Sequence, residues 1–143
     1  MDKLAEIMAH KREELAPMLR PVHDEDFISF GERRDSLHAF RDALSSPDEL
    51  SVISEIKRRS PSAGEIADIP SAEEQARLYI NAEVDALSVL TDEKYFGGSL
   101  EDLWNVADFI RSHDRSTPCL RKDFMFHPLQ VLRYSNKALW TFV

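Results

Sequence analysis

The sequence predicts an α/β fold in which two helices precede about three parallel strands. Two observations predict it: apolar runs of strand length recur after residue 50, and helix-length segments with one apolar face separate them. Strands that alternate with helices of this length form right-handed βαβ units, whose strands lie parallel. The 143 residues, of which 43% are hydrophobic, are enough for one domain with a sizeable core.

Two amphipathic helices are predicted before the first strand. In residues 3–18 the charged side chains of residues 11–14, Lys11 included, are predicted to face water. The apolar face of this segment comprises Leu4, Ile7, Met8, Leu15 and Met18. Residues 35–46 repeat the pattern, and Pro47 then discourages continuation of the helix. The apolar residues of this second segment are Leu37, Phe40 and Leu44.

Three strands are predicted from the next part of the chain. They are SVISEIKRR at residues 51–59, VDALSVLT at residues 84–91 and TPCLRKDFMF at residues 117–126. The second run is nearly all apolar, as expected for a strand that is covered on both faces. The helices between the strands are predicted to begin at Ser71 and Ser99, because Glu74 and Asp102 follow at the spacing of helix N-terminal caps.

Composition excludes several classes of function. A net charge of -8, from 18 basic and 26 acidic residues, disfavours binding to nucleic acid or to anionic membranes. No apolar run approaches the roughly 20 residues of a membrane span, and the N-terminus lacks the pattern of a signal peptide, so a cytoplasmic location is expected. The single cysteine, Cys119, is predicted to be a small buried side chain. No metal site and no cofactor are expected, since the histidines lack ligand spacing and no glycine-rich phosphate loop is present.

Charged side chains end two of the predicted strands. Successive strand residues point to opposite faces, so Glu55 and Lys57 project the same way, about 6 to 7 Å apart. Lys122 ends the third strand on the face that it shares with Leu120 and Phe124. In parallel α/β folds the catalytic groups gather at the C-terminal ends of the strands. We therefore expect the two lysines to meet at one mouth, where they suit a substrate that carries negative charge.

Two lysines in such a place can divide the chemistry. A desolvated lysine beside a second cation has a lowered pKa and can donate a proton near neutral pH, while the other can pair with a carboxylate or phosphate. Glu55 would balance and orient both. The residues alone leave an alternative open, in which Glu55 and Lys57 form a plain salt bridge at a strand end.

Two loops are further candidates for ligand contact. Ser60 and Ser62 flank Pro61, and their hydroxyl groups could receive a phosphate, although Ser-Pro-Ser is also a common turn. Tyr95 and Phe96 precede two glycines, where an exposed aromatic ring could cover a planar ligand. A buried hydrophobic staple fits the same aromatic pair.

Three segments together resemble the indole-3-glycerol phosphate synthase family. They are VISEIKRRSPSAGEI, ALSVLTDEKYFGGSLEDL and PCLRKDFMFHPLQV, in the family's order and at family-like intervals, and the resemblance covers roughly residues 1–131. It implies a (β/α)₈ TIM barrel with an extra N-terminal helical segment. It also implies a carboxy-lyase of tryptophan biosynthesis, which converts 1-(2-carboxyphenylamino)-1-deoxyribulose 5-phosphate to indole-3-glycerol phosphate with loss of carbon dioxide and water.

The resemblance implies roles for individual residues. Lys122 matches the family lysine that acts as a general acid during ring closure. Lys57 matches the lysine that contacts the anionic groups of the substrate and assists catalysis, and Glu55 matches the glutamate beside it. The positions that match substrate-binding residues are Ser60, Phe96 and Phe124.

The sequence departs from the family in extent. A full (β/α)₈ domain needs about 250 residues, so the resemblance implies a partial, incomplete barrel. The expected organisation is one truncated domain, with a helical extension at 1–48, three strands and two helices at 49–126, and an off-pattern helix or tail at 127–143. The family's strand-four glutamate, its general base, has no counterpart. We therefore expect impaired catalysis or, alternatively, a non-catalytic remnant that serves as an assembly or ligand-binding module.

Two structural consequences follow from these departures. Open sheet edges favour a homo-oligomer, because unpaired strand amides and carbonyls need a cover. The family usually ends its first barrel helix with a glycine, whereas residues 81–84 here are Asn-Ala-Glu-Val. We expect that helix to end less cleanly, because a left-handed cap favours glycine.

Overall fold

A parallel sheet forms the centre of the protein. The computed structural model describes residues 2–27, 39–45, 50–113, 116–132 and 141–142. Within them the sheet has the order β1 to β4, and all neighbouring strands are parallel. Its strands are β1 (Ile53–Ile56), β2 (Ala86–Leu90), β3 (Cys119–Lys122) and β4 (Thr141–Phe142). The three predicted parallel strands are thus confirmed, and over the described ranges the sheet does not close into a barrel.

Helices precede the sheet and connect its strands. The described helices are α1 (Lys3–Leu15), α2 (Ala39–Ala43), α3 (Ala72–Asn81), α4 (Glu93–Phe96), α5 (Leu100–Ser112) and α6 (Leu129–Leu132). Short 3₁₀ turns span Ala16–Met18 and Asp24–Phe27, and Arg59–Ser60 pairs with Gly64–Glu65 as a small antiparallel hairpin. The two helices predicted before the first strand are therefore present, although Leu37 and Pro47 lie outside the described residues.

The main core lies between the sheet and the helices α3 and α5. Ile56, Leu87, Val89 and Cys119 point from β1, β2 and β3 toward this layer. The helices contribute a larger set, which includes Ala72, Ala76, Ile80, Leu103, Val106 and Phe109. Burial raises the pKa of the Cys119 thiol to about 12, so this cysteine is a protonated core side chain, as predicted.

The opposite face of the sheet carries a smaller apolar cluster. Phe40 of α2 packs against Ala86 and Leu120, with Leu44 at the margin. Because strand residues alternate between faces, Glu55, Ser88 and Leu120, which are neighbours in register, share this second face. The charged residues predicted for the site therefore lie on the face away from α3 and α5.

The predicted helix caps are present. The Ser71 hydroxyl accepts a hydrogen bond from the Glu74 amide at 3.2 Å, and Ser99 accepts one from Asp102 at 3.0 Å. After α3, Glu83 adopts φ +59°, a left-handed conformation that costs a non-glycine residue about 1 to 2 kcal/mol. A non-glycine residue thus makes the left-handed turn after α3.

The prediction for residues 3–18 was wrong at three positions. Ile7 and Leu15 are buried as expected, whereas Leu4 and Met18 are exposed. Lys11, which was expected to face water, is only 2% exposed. The apolar pattern of the segment did not reveal a charged residue on its buried face.

The C-terminal tail adds a strand to the sheet. Thr141 and Phe142 pair in parallel with Leu120 and Arg121. The tail was expected to be a helix or irregular, and α6 is its described helical part. No helix in the described part of the chain is long and apolar enough to cross a membrane.

Candidate active site

Glu55, Lys57 and Lys122 meet in space. The Lys57 ammonium group lies 2.8 Å from Glu55 Oε1, and the Lys122 ammonium group lies 2.6 Å from Glu55 Oε2. One carboxylate therefore holds two cations, one directly after β1 and one at the end of β3. The group, which we term the Glu55 cluster, is partly open to solvent, since the Lys122 side chain is 54% exposed.

The register of the sheet explains this convergence. Glu55 on β1 lies opposite Ser88 on β2, and Ser88 lies opposite Leu120 on β3, two residues before Lys122. The Ser88 hydroxyl is 3.5 Å from Glu55 Oε2. Because serine is small, the middle strand leaves room for the Glu55 carboxylate and for the Lys122 side chain that reaches it.

The electrostatics of Glu55 favour its charged form. Burial raises the pKa of this carboxyl group, but hydrogen bonds from Lys122 and Lys57 outweigh burial, so that the net pKa lies below the ordinary value. Glu55 is therefore a carboxylate at neutral pH. It can orient both ammonium groups toward an incoming anion, and it can accept hydrogen bonds but donate none.

Two aromatic rings face each other on the loops beside this cluster. The centroids of Phe96 and Phe124 are 5.9 Å apart, with an angle of 34° between the ring planes. Phe96 ends α4, and Gly97 after it adopts φ +67°, which favours glycine. Gly98 packs directly on the Leu90 carbonyl, where any side chain would clash. The loop is thus held close to the end of β2.

Tyr95 has a different environment from Phe96. It is buried, and its hydroxyl group donates a hydrogen bond to Glu6 of α1 at 3.2 Å. Of the two alternatives for this aromatic pair, the buried contact therefore describes Tyr95, whereas Phe96 lies beside the ring of Phe124.

Ser60 lies in the hairpin that follows the Glu55 cluster. Its hydroxyl group accepts a hydrogen bond from the Ala63 amide at 3.1 Å and lies 3.3 Å from the Ser62 hydroxyl. Its described hydrogen bonds thus close the Ser-Pro-Ser turn. Arg58 attaches this hairpin to the rest of the fold through a two-pronged pair with Asp102, at 2.7 and 2.9 Å, and through the Gly97 carbonyl at 3.0 Å.

A second group of charges lies behind the Glu55 cluster and was not predicted. Arg121 is 2% exposed, and its guanidinium contacts Asp123 at 2.6 Å and the Gln130 carbonyl at 2.7 Å. Thr91 donates a hydrogen bond to Asp123 at 2.8 Å. Lys11 of α1 reaches the same place, 3.4 Å from Asp123 and 3.0 Å from Asp92. We term Lys11, Asp92, Arg121 and Asp123 the Lys11 cluster.

The sequence held a signal for this cluster. Arg121 interrupts an apolar strand, and Asp92 and Asp123 follow the ends of β2 and β3 almost at once. Such charges must be paired when a strand is covered on both faces. The partner on α1 could not be identified from the pattern of the strands alone. Among the described residues no group of histidine, cysteine and acidic side chains could hold a metal ion.

Comparison with known proteins identifies the family. A family model for indole-3-glycerol phosphate synthase matches residues 4–138. The chain belongs to the indole-3-glycerol phosphate synthase family. The match extends past residue 131, where the resemblance was expected to end.

Relatives in the family cover the same part of the chain. The synthase of Opitutus terrae is 56% identical over 131 residues, which are 91% of this chain and 49% of that protein. The synthase of Aquifex aeolicus is 48% identical over 101 residues, and that of Oceanobacillus iheyensis is 38% identical over 131 residues. These alignments cover 71% and 92% of this chain, and 37% and 46% of the two relatives. The chain thus spans at most about half the length of these family members.

The segments that resemble the family are also the ones whose side chains come together in the structure. The three segments that resemble the family carry the Glu55 cluster, the aromatic pair and the hairpin with Ser60. Glu55, Lys57 and Lys122 come together, and Phe96 and Phe124 come together.

Proposed function

We propose that this chain carries the substrate-binding and proton-donating part of the family's carboxy-lyase reaction. The substrate is 1-(2-carboxyphenylamino)-1-deoxyribulose 5-phosphate, an anionic phosphorylated small molecule. The observation that carries the proposal is the Glu55 carboxylate between two lysines at the C-terminal ends of β1 and β3, at 2.8 and 2.6 Å. Such a pair of cations suits a substrate with a carboxylate and a phosphate.

In the proposed reaction Lys122 is the general acid. A carbon–carbon bond forms between the ring carbon that carries the carboxylate and the carbonyl carbon of the sugar chain. Lys122 donates its proton to the carbonyl oxygen, which becomes a hydroxyl group, and the carboxylate leaves as carbon dioxide, which restores the aromatic ring. The hydroxyl group then takes a second proton and leaves as water, while the carbon between it and the nitrogen loses a proton to solvent and the indole double bond forms. Lys57 holds the anionic groups, Glu55 orients both lysines, and Phe96 and Phe124 contact the aromatic ring. Ser60 belongs to the substrate-binding loop.

We propose further that the chain is impaired when it acts alone. Removal of a general base or of an electrostatic donor lowers a rate by about 10² to 10⁴.

β1 forms one edge of the described sheet, and Leu50, Val52 and Ile53 at or beside it are at least 46% exposed. Self-association in the cytoplasm through such an edge would cover this apolar surface. A net charge of -8 supports the absence of a nucleic-acid partner.

The second candidate is a non-catalytic module that binds the ligand or assembles with other chains. Two observations favour it. The first is the open edge of β1. The second is that Glu55, Lys57 and Lys122 pair with one another, within the described residues, without a further catalytic group. Binding without turnover would distinguish this candidate from the enzyme.

Turnover and binding can be measured on the same purified chain. Product formation is followed by indole fluorescence across a range of protein concentrations, and substrate binding is followed by calorimetry. We expect weak turnover that rises more than linearly with protein concentration, and Lys122→Ala should lower it by about 10² or more. Binding should persist in Lys122→Ala with a smaller loss.

Arg77→Met is the matched control, since Arg77 is an exposed basic residue on α3 that pairs locally with Glu74. It should leave turnover unchanged. Equal turnover of Lys122→Ala and the unsubstituted chain would contradict the enzymatic proposal. Substrate binding with no turnover at any concentration would favour the non-catalytic module.

A further inference from the structure

Lys11 is a charged side chain in a place where charge must be paired. It is 2% exposed, and its ammonium group lies 2.9 Å from Glu14, 3.0 Å from Asp92 and 3.4 Å from Asp123. A lysine this deeply buried is rare unless carboxylates compensate it. Asp92 and Asp123 come from the loops after β2 and β3, so one atom of α1 joins two loops of the sheet.

Each of these aspartates also holds the backbone beside an aromatic residue. Asp92 Oδ1 accepts a hydrogen bond from the Tyr95 amide at 2.8 Å, one residue before Phe96. Asp123 Oδ1 accepts a hydrogen bond from the Phe124 amide at 2.8 Å. The carboxylates that contact Lys11 therefore also hold the backbone at or next to the two phenylalanines.

Other contacts of α1 reinforce the same two loops. Tyr95 donates a hydrogen bond to Glu6, and the Arg12 guanidinium lies over the ring of Phe126, 5.6 Å from its centroid. The Glu6 and Arg12 side chains that make these contacts are more exposed than Lys11. Lys11 is the point at which the helix reaches both loops through one group.

We propose that Lys11 is a positioning residue, whose ammonium group sets the separation of Phe96 and Phe124 by holding Asp92 and Asp123 together. The inference deepens the proposed function in one respect, since it assigns Lys11 to the part of the site that receives the aromatic ring of the substrate. Lys11 itself touches neither ring and acts through the two aspartates.

The geometry of the two rings provides a direct test that requires no turnover. Nuclear Overhauser effects between ring protons of Phe96 and Phe124 are expected in the unsubstituted protein, because their centroids are 5.9 Å apart. Lys11→Met keeps the aliphatic chain and removes the charge, and it should lower these effects at least threefold. Lys11→Arg keeps the charge and should restore at least half of their intensity. Arg77→Met on α3 should leave them unchanged, since Arg77 pairs locally with Glu74.

A pH titration tests separately whether Lys11 acts on Asp123. The Phe124 amide reports the ionisation of Asp123, which faces Lys11, Arg121 and Thr91, while Asp92 and Glu14 share Lys11. In Lys11→Met the midpoint of the Phe124 amide titration should rise by about one pH unit, since a cation within about 4 Å is lost. Lys11→Arg should reverse most of this rise.

A folded Lys11→Met variant with unchanged ring contacts overturns the proposal, even where the titration midpoint rises. If Lys11→Met does not fold, as judged by circular dichroism, Lys11→Met with Asp92→Asn removes one charge of each sign and is measured instead. Its ring contacts should also fall threefold, and unchanged contacts would again overturn the proposal. Absence of turnover in the unsubstituted chain bears on the proposed function only, because neither measurement uses catalysis.

Discussion

The Glu55 cluster and the Lys11 cluster lie at the same end of the sheet and differ in their exposure to solvent. Both combine lysines with carboxylates at distances of about 3 Å. The Lys122 side chain is 54% exposed, whereas Lys11 and Arg121 are each 2% exposed. The same pair of chemical groups can therefore serve a ligand in one place and the architecture in the other. Access to solvent decides whether a cluster can bind a ligand or can only stabilise the fold.

Arg121 and Lys122 show how the chain produces this difference. They are consecutive residues of β3, and a strand directs consecutive side chains to opposite faces. Arg121 lies opposite Val89, which belongs to the core on the helical side, and Lys122 lies across the sheet from that core, beside Glu55. A single step along the strand thus separates a structural cation from a candidate catalytic one.

The largest expected effect is on stability in the buried cluster. Arg121→Met should lower the free energy of unfolding by about 3 to 5 kcal/mol, because Asp123 would lose a buried partner at 2.6 Å. Lys122→Met, one residue away, should change it by less than about 1 kcal/mol, as for exposed ion pairs. Urea unfolding of both variants measures the contrast, and equal losses would remove the distinction between the clusters.

The next largest expected effect is a loss of stability in acid, which arises in the Lys11 cluster. Burial raises the pKa of Asp123, but Lys11 and Arg121 outweigh burial, so its folded pKa lies below the ordinary value. A group with a depressed folded pKa contributes stability that is complete above its unfolded pKa, about 3.9, and is lost as the pH falls through the folded value. The free energy of unfolding should therefore decrease below about pH 4, by less than the loss caused by Arg121→Met.

At high pH the free energy of unfolding depends on pH with the opposite sign. Burial lowers the pKa of Lys11, but Asp123, Glu14 and Asp92 outweigh burial and raise it above the ordinary value. Its contribution is complete below the unfolded pKa of about 10.4 and is lost only as the pH rises through the folded value. Urea unfolding from pH 3 to pH 10 should thus show a plateau near neutrality. Asp123→Asn should reduce the acid limb, and an unchanged slope between pH 5 and pH 3 would count against this assignment.

The smallest expected effect belongs to the open cluster. Glu55→Gln removes the carboxylate that both lysines share, yet it should lower the free energy of unfolding by less than about 1 kcal/mol, since water can solvate Lys122. Asp123→Asn provides the matched comparison in the Lys11 cluster and should cost several times more at pH 7. A Glu55→Gln loss as large as that of Asp123→Asn would show that both clusters are structural.

Much of the fold and of the candidate site was predictable from local pattern. The strands around Ile53, Leu87 and Leu120 follow from apolar runs, and the helix starts at Ser71 and Ser99 follow from side chains that reach only three residues along the chain. The meeting of Glu55, Lys57 and Lys122 was predicted because parallel strands end at one edge. The different environments of Tyr95 and Phe96 were not predicted, because the dipeptide Tyr-Phe fits a buried contact as well as an exposed ring.

By itself the sequence determined the order of helices and strands and the face on which Glu55 and Lys57 project, because periodicities of 3.6 and 2 residues are local properties of the backbone. Only the tertiary structure decided that Lys11 is buried, since its partners Asp92 and Asp123 lie more than 80 residues away along the chain. Burial of a charge depends on which distant groups surround it. A helical pattern records the spacing of its own side chains and contains no information about those neighbours.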